Sequence, residues 1–289
     1  MATNEIDPVV PGINETPGAV FVEAGMGQAW QSGAAARALT LGMAPELMLD
    51  LADLRAGIKV LDVAAGTGEQ TLVAARRVGP RGRVLATDIA AGMLEVAAEQ
   101  MQQAGLANVE TRVMDAQSLD LVSESFDAVI SRLGILLIPD RQRALAEIHR
   151  VLKPGGKLAV IVFGAPERNP LWSGTMAIGR RHAGLPLPPL EQPGIFALGA
   201  PNLLEHALRQ AGFRAVEVRA VSAPRHFPSI PEAMGYLTGS TPMLREPLAK
   251  LDPAGRAAML ADIEQSLRQY EGPEGVEAPG EVLVGVGTK

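Results

Sequence analysis

The chain has 289 residues, of which 47% are hydrophobic and 20% are charged, and its formal net charge is −6. This composition is typical of a globular protein with one large core or two modest ones, and it excludes a disordered chain. An acidic balance without a basic field argues against a nucleic-acid partner. The absence of cysteine excludes disulfides and thiol nucleophiles, and four scattered histidines predict no metal site.

Two further features of the sequence predict the compartment. The first basic residue is Arg37, whereas signal and transit peptides carry basic residues early. No stretch approaches the roughly 20 apolar residues that span a bilayer. We therefore expect a cytoplasmic protein with no membrane span.

From Lys59 onward, short apolar runs alternate with amphipathic stretches. Strands are predicted at 60–63, 84–87, 109–114, 126–131, 158–163, 216–221 and 281–286. Helices are predicted at 69–78, around 94–101 with Gly105 as the closing residue, from Asp140 to the Lys153-Pro154-Gly155-Gly156 turn, and around 204–211. This alternation predicts crossover units and therefore an α/β fold, a doubly wound, mainly parallel sheet with helices on both faces.

Three long segments do not fit the alternation. They are residues 1–36, 164–200 and 222–280, with helical pieces predicted only near 176–182, 231–236 and 254–269. Long irregular connections are uncommon in compact domains and often act as lids. We expect a single domain of residues 1–289, with an N-terminal lid (1–36), a cofactor-binding core (37–163), two acceptor-side lid insertions (164–200 and 222–280) and the end of the sheet (201–221 and 281–289).

A glycine-rich loop follows the first predicted strand. Gly66 and Gly68 allow a tight turn and a close approach of a ligand to the backbone. Three acids, Asp62, Asp88 and Asp115, lie at the ends of the first three strands. Because the carboxyl ends of parallel strands meet at one edge of a sheet, we expect these acids to face one crevice.

The position of Asp88 indicates a nucleoside-containing cofactor. It lies 20 residues after Gly68, the separation at which an acid commonly accepts hydrogen bonds from a ribose. A dinucleotide site would need a third glycine where Thr71 stands, and Glu69 would repel a pyrophosphate. A nicotinamide oxidoreductase is therefore disfavoured, and S-adenosylmethionine, which carries a ribose and a cationic amine but no phosphate, fits better.

Four stretches in the correct order resemble class I S-adenosylmethionine-dependent methyltransferases, in the branch of the ubiquinone and menaquinone biosynthesis C-methyltransferases. They are DVAAGTG (62–68), VLATDIAAGML (84–94), VMDAQSL (113–119) and HRVLKPGGKLAVIVF (149–163). The resemblance implies a Rossmann-like, seven-stranded sheet with an antiparallel last strand and helical lid insertions.

The resemblance also implies a role for each matching residue. Asp62 orients the loop and the amino group of the cofactor, while Ala64, Gly66 and Gly68 line its methionine part. Asp88 holds the ribose. The residues implied for the adenine are Ile89, Met93, Asp115 and Ala116. Ser131 and Arg132 border the methyl-donor end, although Arg132 could instead form an ion pair with a neighbouring acid. Ala64 departs from the glycine common at its position.

The acceptor is predicted to be a small organic molecule, apolar or aromatic. Methyl transfer from a sulfonium needs no catalytic dyad, so His182, His226 and Tyr236 are only weak candidates for a general base. The residues that could wall an apolar chamber are Met43, Leu171, Trp172, Met176, Phe196, Met234 and Met243. The triplet Arg180-Arg181-His182 could bind an acceptor anion or simply form a solvated helix end. An S-adenosylmethionine-binding fold with non-methylating chemistry, or with ligand binding only, is the alternative function.

Overall fold

Seven strands form the main sheet in the computed structural model, which describes Glu23 and residues 26–32, 41–239 and 242–289. These strands are β1 (Lys59–Val63), β2 (Arg83–Asp88), β3 (Val109–Val113), β4 (Phe126–Arg132), β5 (Leu152–Phe163), β6 (Arg214–Ser222) and β10 (Glu281–Thr288). Their order is β3-β2-β1-β4-β5-β10-β6. Strands β1 to β5 pair in parallel, and β10 pairs antiparallel with both β5 and β6. The predicted fold class is confirmed, including the antiparallel last strand.

Helices cover both faces of this sheet. They are α1 (Met26–Ser32), α2 (Ala44–Leu51), α3 (Glu69–Val78), α4 (Ala91–Gln103), α5 (Arg141–Val151) and α7 (Leu203–Gln210). Successive side chains of a strand point to opposite faces, so Val129 packs in one apolar cluster with α5 and α7, while Ala128 and Ile130 pack in another with α2 and α3. Continuous apolar runs in β4 and β5 are therefore required by burial on both sides.

The two later segments outside the alternation fold into an accessory unit, which we define as four helices and a small sheet. The helices are α6 (Pro170–His182), α8 (Ile230–Gly239), α9 (Arg245–Lys250) and α10 (Pro253–Leu267), and the strands are β7 (Arg225–Phe227), β8 (Glu271–Gly272) and β9 (Gly275–Ala278), in the order β7-β9-β8. Short 3₁₀ turns lie at Ile135–Leu137, Pro166–Arg168, Pro242–Leu244 and Arg268–Tyr270. The unit has its own apolar cluster, and its sheet was not predicted.

The start of β5 differs most from the predicted strand boundaries. Strand β5 begins at Leu152 and not at Leu158, so it includes the glycine turn that was predicted to separate it from α5. The register with β4 jumps between the Phe126 and Ala128 pairs. Gly155, with φ of +78°, adopts the left-handed conformation that lets the extra residues loop out between the two paired ends.

The predicted N-terminal lid falls largely outside the described residues. The part that is described, α1, packs on α4, where a Cβ on Gly27 would collide with the backbone of Gly92. The Glu23 carboxylate lies 2.5 Å from Arg245 of α9, so this segment contacts the core and the accessory unit. Among the described residues, no helix is long and apolar enough to cross a membrane.

Candidate cofactor site

The glycine loop between β1 and α3 has a backbone conformation that residues other than glycine rarely adopt. Gly66 has φ of +57° and Gly68 has φ of +86°. A Cβ added to Gly68 would lie 2.8 Å from the Cβ of Ala97, so glycine lets α3 begin directly against α4. Ala64 also has a positive φ, +55°, and Gly134 leaves room for its methyl group. Alanine at this position therefore retains some backbone strain.

Asp88 closes the opposite side of the loop. Its Oδ2 accepts a hydrogen bond from the Gly66 N–H at 2.8 Å, and its Oδ1 accepts one from the Ala90 N–H at 3.0 Å. Burial raises the pKa of this carboxyl, and the backbone donors partly offset that rise. The predicted ribose acid therefore lies directly beside the loop, at the carboxyl end of β2.

Asp62 is the most deeply buried acid of the site, with 1% of its surface exposed. Thr71 Oγ1 donates a hydrogen bond to its Oδ2 at 2.7 Å. Burial raises the pKa of Asp62 to about 7; Thr71 and Arg132 lower it, and the charges of Asp88 and Glu69 raise it further. The crevice thus collects three carboxyl groups and one guanidinium.

Arg132 forms an ion pair across this crevice. Its Nη2 lies 2.8 Å from Glu69 Oε2, and the two side chains are only 15% and 18% exposed. Thr67 Oγ1 donates to the other oxygen of Glu69 at 2.7 Å. The ion-pair alternative for Arg132 therefore applies in this structure, with Glu69 as a partner that was not predicted from the sequence. The neighbouring Ser131 Oγ is buried without a hydrogen bond to any described residue.

The predicted adenine loop is tied to the next helix. Asp115 Oδ1 accepts a hydrogen bond from the Gln117 backbone at 2.9 Å, and the Gln117 side chain contacts both carboxylate oxygens. Gln117 Oε1 in turn accepts from the Asp140 N–H, and Asp140 caps α5 as predicted. Met93 is buried in the core, while Ile89 and Ala116 are half-buried.

A glutamine on α4 connects the glycine loop with α1. Gln100 Nε2 donates to the Thr67 carbonyl and, at 3.1 Å, to Gln31 Oε1 of α1. Nothing in the local sequence distinguishes Gln100 from its neighbours Gln102 and Gln103. It was not predicted because its importance depends on a helix that lies about seventy positions earlier in the chain.

The three weak candidates for a general base are not brought together. His182 Nε2 lies 2.8 Å from Asp262, His226 is exposed on β7, and Tyr236 is buried in the accessory unit. Arg181 also pairs with Asp262 and Arg180 pairs with Glu246, so the basic triplet joins α6 to α10 and α9.

Most of the predicted apolar chamber lies in the accessory cluster. Leu171, Trp172 and Phe196 are buried there, with Met176, Met234 and Met243 packed around them. Met43 was predicted wrongly, because its side chain is 79% exposed beside α2. Met43 precedes α2, so helical periodicity could not predict the direction of its side chain.

The family model described as a methyltransferase domain matches residues 60–156. These residues are a methyltransferase domain. The ubiquinone/menaquinone biosynthesis C-methyltransferase of Bordetella parapertussis is 41% identical over 143 residues, which are 50% of this chain and 50% of that protein. The chain spans about half the length of the curated relatives it matches. The predicted resemblance to this family is confirmed over the matched residues.

Solved structures of other proteins are similar to most of this chain and support its fold. The phosphoethanolamine N-methyltransferase 2 of Haemonchus contortus, in complex with S-adenosyl-L-methionine, has a TM-score of 0.58 at 20% identity and covers 98% of this chain and 60% of that one. The cyclase SpnF has a TM-score of 0.52 at 24% identity and covers 90% and 82%. At these identities the likeness establishes the fold and not the reaction.

Proposed function

We propose that this protein transfers the methyl group of S-adenosylmethionine to a small organic acceptor. The observation that carries the proposal is the Asp88 carboxylate, held at the carboxyl end of β2 against the Gly66 N–H of the glycine loop. An acid in this place is suited to a ribose diol. The methyltransferase domain over residues 60–156 supports the same cofactor.

The charges of the crevice favour a cation. Asp62, Glu69 and Asp88 supply three carboxyl groups, against the single guanidinium of Arg132. S-adenosylmethionine carries a positive sulfonium and a positive ammonium group, whereas a dinucleotide would bring two phosphates. Because Arg132 pairs with Glu69, and Asp62 with a pKa of about 7 is only partly ionised at neutral pH, the excess of negative charge comes from Asp88 and part of Asp62. Coulomb attraction in a partly buried site is stronger than in water, so this excess favours a cation over a pyrophosphate.

Each part of the cofactor would have its own residues. Asp88 would hold the ribose, and Asp115 with Ala116, Ile89 and Met93 would surround the adenine. The loop residues Ala64, Gly66 and Gly68 would line the methionine part, with Asp62 orienting its amino group and Ser131 and Arg132 at the methyl-donor end. When bound, the cofactor supplies an activated methyl group. The chain itself has to align the acceptor with it and exclude water.

The position of the accessory unit supports a role as a cover over the acceptor. Phe163, the last residue of β5, packs edge-on against Trp172 of α6 with ring centroids 6.4 Å apart. The unit therefore begins at the carboxyl edge of the sheet, on the side of β4 and β5. The relatives are named C-methyltransferases, so carbon acceptors such as quinols and phenols are the first to test.

Two measurements test this proposal. S-adenosylhomocysteine should raise the melting temperature and NAD should not, because only a ligand that binds the native state stabilises it. Labelled methyl groups should then be transferred to at least one member of a panel of phenols, quinols, amines and acids. A melting shift with NAD alone would refute the cofactor. Acceptor turnover without S-adenosylhomocysteine formation would favour the non-methylating alternative.

A further inference from the structure

Two side chains on α6 keep a polar atom buried without a hydrogen bond to any described residue. They are Trp172 Nε1 and Thr175 Oγ1, in residues that are 5% and 1% exposed. Residues three apart lie on the same side of a helix. A buried donor without a partner destabilises the native state, so two of them on one helix face need an explanation.

The surroundings of Trp172 are aromatic and positively charged. The ring of Tyr236 lies 5.8 Å from that of Trp172, and the Arg225 guanidinium lies 5.6 Å from the ring centroids of both Trp172 and Phe163. Arg225 is fully buried, and burial lowers its pKa to about 10, which still leaves it charged at neutral pH. Its Nη1 donates to the Ala223 carbonyl at 2.6 Å.

These groups lie beside the carboxyl end of β5, on the side where the proposed function puts the acceptor. Phe163 ends β5, and β5 pairs with β4, where Ser131 is opposite Val160 and Arg132 is opposite Ile161. The Ser131 hydroxyl is a third buried polar group without a hydrogen bond among the described residues. Carboxyl groups lie beside the glycine loop, whereas the buried donors and the Arg225 guanidinium follow β5, where the half-buried Glu281 carboxylate also lies next to Gly164.

The chemistry of these groups selects a ligand class. The indole N–H can only donate, so its partner has to be an acceptor atom. A neighbouring guanidinium favours an acceptor with negative charge, and aromatic rings favour a planar apolar body. We propose that Trp172, Thr175 and Arg225 form an acceptor subsite for a planar aromatic anion. Its carboxylate or phenolate oxygen accepts hydrogen bonds from Trp172 Nε1 and Thr175 Oγ1, and its ring packs among the aromatic side chains.

This inference rests on the proposed function for its role in catalysis, but the subsite can be tested by binding alone. The probes are 2-naphthoate and its neutral counterpart 2-naphthamide, titrated by calorimetry with and without S-adenosylhomocysteine. Naphthoate should bind at least about tenfold more tightly than the amide, since hydrogen bonds to charged groups are the stronger ones.

Two variants that preserve shape remove one donor each. Thr175→Val and Trp172→Phe should each weaken naphthoate binding by roughly tenfold and naphthamide binding by less, because a neutral carbonyl accepts weaker hydrogen bonds than a carboxylate, while S-adenosylhomocysteine binding should not change. The matched control is Thr238→Val on α8, an exposed threonine whose hydroxyl is bonded to the Met234 carbonyl. It should leave all three affinities unchanged.

A purely structural role predicts a different result. The melting temperature of Thr175→Val would rise, because an unsatisfied hydroxyl is removed, but naphthoate affinity would not change. Any of three results would overturn the subsite. They are an unchanged naphthoate affinity in Thr175→Val, equal affinities for naphthoate and naphthamide, and no binding of either compound. If S-adenosylhomocysteine does not bind while the preference for naphthoate remains, the proposed methyl transfer fails and the subsite stands.

Discussion

Replacing Asp62 with asparagine should change how the stability of the protein depends on pH. Burial raises the pKa of this carboxyl from 3.8 to about 7, and the hydrogen bond from Thr71 offsets only part of the rise. Between those two values the native state holds a proton that the unfolded chain has lost. Stability therefore falls as the pH rises through this window, and falls no further above the folded pKa.

The size of the effect follows from the shift. One pKa unit corresponds to about 1.4 kcal/mol, so the full rise corresponds to about 4 kcal/mol of stability lost between about pH 4 and pH 7. Asparagine cannot ionise, but its side-chain oxygen can still accept the Thr71 hydrogen bond. The difference in unfolding free energy, wild type minus variant, should decrease by about 1.4 kcal/mol per pH unit in the middle of this window and be constant above about pH 8.

Urea unfolding at a series of pH values measures this difference directly. Subtracting the unfolding free energy of the variant from that of the wild type at each pH cancels the contribution of all the other acids, because the two proteins share them. Asp120→Asn, which removes a carboxyl at an exposed position, is the matched control for the substitution. If the Asp62→Asn difference does not change with pH, the carboxyl is already ionised in the native state and the reasoning is wrong.

Three further changes test the loop, the ribose acid and the N-terminal segment. Gly68→Ala should lower the unfolding free energy by more than about 2 kcal/mol, because a left-handed φ and a collision with Ala97 add together, whereas Gly66→Ala should cost only about 1 kcal/mol. Asp88→Ala should weaken S-adenosylhomocysteine binding by about 1–3 kcal/mol in a calorimetric titration. Deletion of residues 1–36 should abolish methyl transfer and weaken cofactor binding but leave a folded core, as measured by circular dichroism and hydrogen exchange.

Each of these expectations has a contrary outcome. Equal losses for the two glycine variants would mean that the contact between α3 and α4 adapts to a methyl group. Unchanged affinity in Asp88→Ala, with Asp120→Ala as the control, would remove the ribose assignment. A truncated protein that turns over at the full rate would show that residues 1–36 are not a lid.

The core could be predicted because its local signals agree with its tertiary environment. Short apolar runs bounded by turn residues, such as those around Asp62 and before Asp88, are typical of strands buried on both faces, and the parallel pairing then brings the acids to one edge. The cap at Asp140 and the helix at 69–78 are encoded within a few residues of their own positions. Such features need no knowledge of the rest of the chain.

The accessory unit could not be predicted in the same way. Its three-stranded sheet uses strands of two to four residues, too short to show a period. Its position depends on contacts such as that of Asn169, whose side chain bonds both the carbonyl and the N–H of Glu281, 112 residues later. The choice of Glu69 as the partner of Arg132 is equally non-local, since 63 residues separate the two.

Strand β10 has a consequence for how this chain can be made. It follows every other described strand in the sequence, yet it lies between β5 and β6 in the sheet. During synthesis, β5 and β6 therefore have no common neighbour until residues 281–288 leave the ribosome. Pairings between strands so distant in sequence form slowly, because a long loop has to close first. We expect the first five strands to fold during translation, with the exposed edge of β5 as the site most prone to aggregation until β10 arrives.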